Sequence, residues 1–249
     1  TIDESAITSA LQRVYNRMGG KGTLAPELFR ETSKAFRQAA ASGVGDSGIK
    51  PGKDFLSQLG HSADVFSAFK THSQQSAMVA ALKDENGKLR SFSQFKKATE
   101  PITGKYNKAW LKTEYRTAIS RAHHAANWQQ YRDEKDVLPC LEWIESTAAV
   151  PGEDHRIFWG TIQPVDSPFW AQHSPGDRWN CQCSLEQTDK APTHAVTNNP
   201  DGDNPAPGLD GHPAEPQLFA QSHPYYPKSC MACPFTTNKL EALYQSLDD

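Results

Sequence analysis

The chain has 249 residues, a length that suits one large domain or two small ones. Its mean hydropathy is -0.67, and 37% of its residues are hydrophobic, which is low for a globular protein of this size. We therefore expect part of the chain to be extended or stabilised by a partner. No run of about 18 apolar residues occurs, so we expect no membrane-spanning helix.

Charge is distributed unevenly along the chain, although the net charge is only -3. Residues 1–138 carry 21 Lys and Arg against 14 Asp and Glu, and residues 139–249 carry 5 against 15. This asymmetry has two interpretations. The two halves are either ordinary solvated surfaces of opposite sign, or the basic half contacts DNA or an acidic partner.

The chain contains five cysteines, which is an odd number: Cys140, Cys181, Cys183, Cys230 and Cys233. A secreted protein stabilised by disulfides would usually pair all of them, so the count favours a reduced, intracellular origin.

Apolar residues at helical spacing predict several helices within residues 1–104. The first covers 3–17, and the second begins at Pro26 and ends at Gly43. One or two short helices are expected over 55–69 and another around 78–82. Ser91 and Gln94 have the spacing of a capping box, which predicts one more short helix.

A long helix is predicted over 105–135, because this stretch lacks proline and glycine and carries a continuous apolar stripe. About 30 helical residues would span about 45 Å. The middle of the stripe consists of small residues, namely Ala118, Ala122 and Ala125. Small side chains would allow another helix to approach closely.

Basic residues are concentrated before and along this predicted helix: Lys96, Lys97, Lys105, Lys108, Lys112, Arg116 and Arg121. Four of them, Lys105, Lys108, Lys112 and Arg116, share one face by their spacing. Such a face could contact DNA phosphates without reading sequence. The alternative is an ordinary solvated helix surface.

Three short strands are predicted after the long helix, over 140–144, 157–162 and 179–186. The last alternates, with Trp179, Cys181, Cys183 and Leu185 on one face, which is typical of a half-buried strand. We expect the strands to form a small antiparallel sheet against the long helix. A helical half followed by a mixed half gives an α+β fold.

Residues 191–249 differ in composition from the rest of the chain. The stretch 198–217 is almost entirely Pro, Gly, Asn, Asp and Ala, and cannot bury enough apolar surface to fold alone. We expect an extended arm held against the domain or a neighbouring chain. A short helix is predicted near its end, around Leu240, Leu243 and Leu247.

The segment 154–185 carries a motif that resembles the Mu F-like minor head proteins of tailed bacteriophages, the head morphogenesis family. The matching residues are His155, Arg156, Gly160, Pro168, Phe169, Trp170, Pro175, Asn180, Cys181 and Cys183. The resemblance continues upstream through 106–115. One departure is Gln182, where the family usually has arginine between the two cysteines. The extent of the resemblance divides the chain into a helical region (1–104), a Mu F-like core domain (105–190) and the arm (191–249).

The resemblance implies a structural protein of the virion, made in the host bacterial cytoplasm. It would associate with the portal and capsid interior and act in head assembly and the packaging or ejection of DNA. The motif residues, with Trp179, are then expected to be structural. Two other classes stay open: an enzyme on the same domain, either ADP-ribosyltransferase-like or a nuclease-like toxin, and a DNA-binding adaptor.

The cysteines offer one candidate metal site. Cys181 and Cys183 together with Cys230 and Cys233 could hold a structural zinc tetrahedrally. A regular strand separates residues i and i+2 by about 6.6 Å, so a bulge at Gln182 would be needed. One alternative is that Cys181 and Cys183 are simply buried core residues. Another is a metal site in which His173 joins the first two thiols or His223 joins the last two. A third is a thiolate nucleophile paired with His155 or His173.

Overall fold

The computed structural model describes residues 1–16, 24–194, 204–229 and 232–235, and it has the predicted α+β architecture. The helices are α1 (Glu4–Tyr15), α2 (Pro26–Ser47), α3 (Lys53–Ala80), α4 (Phe92–Gly104), α5 (Trp110–Asp133) and α6 (Phe169–Gln172). The strands are β1 (Cys140–Ile144), β2 (Ile162–Pro164) and β3 (Ser184–Thr188). Within the described ranges, no helix is both long and apolar enough to cross a bilayer.

Helix α1 lies within its predicted range, whereas the two helices that follow it are longer than predicted. Helix α1 begins after Asp3, whose carboxylate accepts a hydrogen bond from Ser5 N at 2.7 Å. Helix α2 does not end at Gly43 but continues to Ser47. The short helices expected over 55–82 are one helix, α3, and one of its buried polar side chains, Gln75, accepts a hydrogen bond from Ala25 N at 2.8 Å.

One continuous helical run extends from Phe92 to Asp133. It starts with the predicted capping box, in which Ser91 and Gln94 satisfy each other's backbone N–H groups. Helix α4 then passes into a π-helix, Lys105–Ala109, which leads directly into α5. The predicted long helix is therefore confirmed, although the run begins earlier and tolerates Pro101.

The sheet has the order β2-β1-β3, with both pairs antiparallel. The prediction of β1 was correct, whereas the other two strands are shorter and shifted. Residues Glu153–Phe158 form a 3-10 helix, and Gly160 turns the chain with a φ of 76° before β2 begins. Strand β3 begins at Ser184 because Asn180, with a φ of 60°, interrupts the extended backbone.

The sheet packs against α5, as predicted. Tyr131 on α5 donates its hydroxyl hydrogen to Leu185 O at 3.1 Å. Trp128 on the same helix joins Trp143 of β1 and Trp170 of α6 in one hydrophobic core, and all three side chains are fully buried. The Trp170 indole also donates to Pro164 O at 2.8 Å, so its single polar group is satisfied.

The chain folds as two units, each assembled from separate segments. The first comprises 1–37, 63–113 and 224–249, and the second comprises 38–62 and 114–223. The domain boundaries predicted at residues 104 and 190 were drawn from the sequence motif, and they stay predictions.

The described part of the arm is ordered without a helix or strand over 204–229. Its residues Leu209, Leu218 and Phe219 are completely buried in the second unit. The arm is thus held against the domain, as expected from its composition. The short helix predicted around Leu240, Leu243 and Leu247 lies outside the described residues.

Helices α2 and α5 approach each other closely within the second unit. A Cβ atom placed on Gly43 would lie 2.2 Å from Ile119 O and 2.9 Å from Ala122 Cβ. Ala118, Ala122 and Ala126 on α5 are fully buried. The small residues in the middle of the long helix therefore do admit another helix, as the sequence predicted.

Candidate functional site

Three side chains of the motif converge in the second unit: His155, Cys181 and Cys183, hereafter the His–Cys cluster. His155 is carried by the 3-10 helix, and the two cysteines lie in the turn that precedes β3. The left-handed conformation of Asn180 bends this turn, and asparagine tolerates that conformation better than most residues. The two cysteines therefore lie outside a regular strand, and their sulfurs come within 4.8 Å of each other.

One nitrogen of His155 faces both sulfurs. Nδ1 lies 3.2 Å from Cys181 Sγ and 3.7 Å from Cys183 Sγ. The cysteines also interact with each other, because Cys183 N donates to Cys181 Sγ at 3.4 Å. His155 and Cys183 are each only 4% exposed, so this arrangement is enclosed by protein.

The opposite nitrogen of His155 is held by Asp177. Nε2 lies 2.6 Å from Asp177 Oδ1, and Asp177 is 1% exposed. A carboxylate only accepts hydrogen bonds, so the Nε2 proton belongs to this contact. In neutral His155 the Nδ1 lone pair then points toward the two sulfurs.

Asp177 is also bound by its neighbours. Arg178 places a guanidinium nitrogen 3.2 Å from Asp177 Oδ1, and Ser174 N donates to Oδ2 at 3.3 Å. These contacts fix the carboxylate that orients His155.

Electrostatics favour charge separation within the cluster. Burial lowers the pKa of His155, but hydrogen bonds to Asp177 and Cys183 outweigh burial and raise it to about 9. The hydrogen bond between the two thiols lowers the pKa of Cys183 and raises that of Cys181. Of the two sulfurs, Cys183 is therefore the one that carries negative charge more readily.

Two tryptophans complete the surroundings of the Cys183 sulfur. The indole nitrogens of Trp143 and Trp159 are buried, and within the described ranges neither meets a conventional hydrogen-bond acceptor. Both lie close enough to Cys183 to lower its pKa, because an indole N–H stabilises a negative sulfur. The site thus directs two otherwise unsatisfied donors at one thiolate.

The other motif residues have structural positions outside the His–Cys cluster. Gly160 is a left-handed turn residue whose N–H donates to Trp143 O at 2.8 Å, and Trp170 lies in the core. Trp179 stacks on Phe219 of the arm at a centroid distance of 5.8 Å. Arg156 is exposed, with its guanidinium 5.4 Å from the centre of the Trp159 ring.

The predicted basic face is mostly exposed. Lys105, Lys108, Lys112 and Arg116 all point to solvent, and Lys105 lies 4.2 Å from the centre of the Trp110 ring. Arg121 was wrongly included in the wider basic group. It is 8% exposed and donates to the backbone carbonyls of loops in its own unit, including Leu209 O at 2.6 Å.

The predicted four-thiol zinc site stays a prediction. Cys230 lies outside the described residues, and Cys233 belongs to the first unit. Among the described residues, the potential ligands that come together are those of the His–Cys cluster, with all three ligand atoms within 4.8 Å of one another. His173, the other candidate partner, instead stacks on Phe158 at 4.6 Å.

Sequence reasoning missed Asp177 and the two indoles. Asp177 precedes the first cysteine by four residues, in the sequence Pro-Gly-Asp-Arg, and a carboxylate beside a Cys-x-Cys motif could have indicated it. Trp143 and Trp159 are far from the cysteines in sequence, and only the pairing of β1 with its neighbours brings them near.

The geometry permits two kinds of chemistry. A thiolate, an imidazole and a carboxylate in a row resemble the arrangement of a cysteine nucleophile with its base. Two thiols and an imidazole nitrogen facing one point are also a common set of zinc ligands. Burial of Cys183 and His155 favours the second, because a nucleophile must be reached by its substrate.

Comparison with known proteins supports the motif on which this site is built. Residues 73–186 match the family described as Phage Mu protein F like protein. Comparison with curated proteins and with solved structures found no match. The chain therefore resembles the Mu F-like family over a segment that contains His155, Cys181 and Cys183.

Proposed function

We propose that this chain is a minor head protein that associates with the portal and the capsid interior and acts in head assembly. The observation that carries the proposal is the family match over 73–186. The segment includes the whole His–Cys cluster and most of the core around it. Its place of action would be the virion, after synthesis in the cytoplasm of the host bacterium.

The physical character of the chain agrees with a role in an assembly. Residues 1–138 are basic and residues 139–249 acidic, so the protein can meet partners of either charge. Val137 and Val150 are apolar residues with exposed fractions of 77% and 89%. The described part of the arm, 204–229, packs without a helix or strand. Such segments are held in place by their packing contacts and not by regular backbone hydrogen bonding.

Co-expression with a phage portal protein tests the proposal. We expect a complex of defined stoichiometry in size exclusion chromatography with light scattering. A chain that elutes alone at every salt concentration would contradict association with the portal. Circular dichroism of that chain is the control that it is folded.

A second role, contact with the packaged DNA, is supported by the exposed basic residues on the long helical run. Lys105, Lys108 and Lys112 are exposed in the first unit, and Arg116 is exposed as well. Lysine contacts to phosphate release counterions, so binding by such a face depends steeply on salt and little on sequence.

Reversing two of these charges is expected to weaken DNA binding. In the double variant Lys108→Glu, Lys112→Glu, the slope of log affinity against log salt should fall by about 2, because each phosphate contact contributes about one. Fluorescence anisotropy with a labelled duplex at several salt concentrations measures it.

The matched control is Lys83→Glu, Lys88→Glu, which changes the net charge equally at two exposed lysines of the same unit. Equal weakening in both variants would show that only overall charge matters. Absence of binding by the unaltered protein at low salt would dismiss the DNA contact altogether.

We propose, further, that the chain is not an enzyme. The support is burial: His155 and Cys183, the residues of the most nucleophile-like arrangement, are each 4% exposed. Turnover of NAD or of nucleic acid that disappears in His155→Ala or Arg156→Ala would overturn this and restore the transferase or nuclease interpretation.

A further inference from the structure

We propose that the His–Cys cluster binds one zinc ion through His155 Nδ1, Cys181 Sγ and Cys183 Sγ, with Asp177 as the carboxylate that orients His155. The proposal replaces the four-thiol site expected from sequence by a site within one unit. It does not depend on the proposed role in the phage head.

The distances fit the ion. Zinc lies about 2.0 Å from a histidine nitrogen and about 2.3 Å from a cysteine sulfur, so tetrahedral geometry separates nitrogen from sulfur by about 3.5 Å. The two separations in the cluster are 3.2 and 3.7 Å. These two values lie on either side of the separation expected for ligands of one zinc ion.

The histidine is already oriented as a ligand. Asp177 occupies Nε2 at 2.6 Å, which leaves Nδ1 toward the sulfurs. Metal-binding histidines commonly donate their second nitrogen's hydrogen to a carboxylate, which fixes the tautomer and the ring orientation. Asp177 is itself held by Arg178 and Ser174 N.

The indoles provide a second, independent observation. Trp143 and Trp159 have buried N–H groups near the Cys183 sulfur, and the described part of the chain offers them no conventional acceptor. A buried donor without a partner is unfavourable, and a neutral thiol accepts only weakly. A metal-bound thiolate carries the negative charge that would satisfy both groups.

The ligand set favours zinc over the hard cations magnesium and calcium. Thiolates and imidazole are soft or borderline ligands, whereas magnesium and calcium prefer oxygen. Three protein ligands leave the fourth position for water or another donor, and Cys181 is the partly exposed member of the cluster. Access to the ion would thus be from the side of Cys181.

Metal analysis of protein purified without chelator tests the site. We expect about one zinc per chain. The substitutions Cys183→Ser and His155→Asn should abolish binding, and Asp177→Asn should weaken it about 10- to 100-fold. The control is Cys140→Ser, a buried cysteine of β1 outside the cluster, which should keep the full zinc content. Less than about one zinc per five chains in the unaltered protein would overturn the proposal.

The double variant Cys230→Ser, Cys233→Ser separates the two zinc sites. We expect its zinc content to be unchanged. Loss of zinc in this variant would instead support the four-thiol site and refute the three-ligand one.

Alkylation of the unaltered protein gives a readout that does not rely on folding of a variant. Iodoacetamide labelling followed by mass spectrometry should modify the Cys181–Cys183 pair faster after a chelator is added, because the chelator frees both sulfurs. Equal labelling of both cysteines with and without chelator would contradict metal binding.

Discussion

Replacing Asp177 by alanine is expected to lower the free energy of unfolding by about 3–5 kcal/mol, because it leaves a buried charge without its partner. Asp177 is 1% exposed and contacts both His155 and Arg178. Asp177→Asn retains an oxygen that accepts from His155, so it should recover part of the loss. Urea denaturation of the protein at neutral pH measures both variants.

The matched control for this prediction is Asp166→Ala. Asp166 forms an ion pair of similar length, 2.7 Å to Lys135, but both side chains are largely exposed. Exposed pairs contribute little to stability, so the denaturation midpoint should not change measurably. Equal destabilisation by Asp166→Ala and Asp177→Ala would show that burial does not decide the effect.

Substituting valine for Gly43 is expected to destabilise the second unit by about 3 kcal/mol, because a larger side chain would overpack a tight helix contact. Even the Cβ atom would lie 2.2 Å from Ile119 O, a backbone atom that cannot rotate away. Alanine should therefore also destabilise, although it improves intrinsic helix propensity by about 1 kcal/mol. Thermal unfolding followed by circular dichroism would record both changes.

Gly45 on the same helix provides the control. A Cβ atom there meets nothing within 4 Å, so Gly45→Ala should be neutral or stabilising by up to about 1 kcal/mol. Opposite signs for the two alanine variants would confirm the close contact. If Gly43→Ala stabilised the protein as much as Gly45→Ala, the helices would not be in contact at this point.

The elements that sequence predicted best are those with a strong local signal. Asp3 and Ser91 cap their helices through their own side chains, and the alanine stripe of α5 marks a close contact. β1 was placed correctly because its aromatic and aliphatic residues are bounded by turns. Each of these depends on residues that are near one another in the chain.

The errors arose where distant contacts override the local pattern. The alternation over 179–186 does predict burial, since Cys183 and Leu185 are buried while Ser184 and Glu186 are exposed. The backbone at Asn180 nevertheless leaves the strand, which no alternation can indicate. Helix α3 runs without interruption through buried polar residues, and one of them, Gln75, is bound by Ala25 N from a distant part of the sequence.

The candidate site was half predicted. Sequence identified Cys181, Cys183 and His155, but it paired the cysteines with Cys230 and Cys233 by the familiar spacing of zinc motifs. The structure gives them His155 instead, from a 3-10 helix, Glu153–Phe158, that the sequence analysis did not predict. The contact of Asp177 with His155 is evident only in the folded structure, because the two residues are 22 positions apart in sequence.

The interleaving of the two units has a consequence for biosynthesis. The first unit needs residues 1–37 and also 224–249, so a growing chain cannot complete it until synthesis is nearly finished. The second unit consists of 38–62 and 114–223. Residues 38–62 are therefore synthesised well before the residues that complete their unit. Contacts of such long sequence separation slow folding and expose apolar surface in the meantime. The family-matched stretch 73–186 lacks 38–62, including Gly43, and cannot by itself supply the complete second unit.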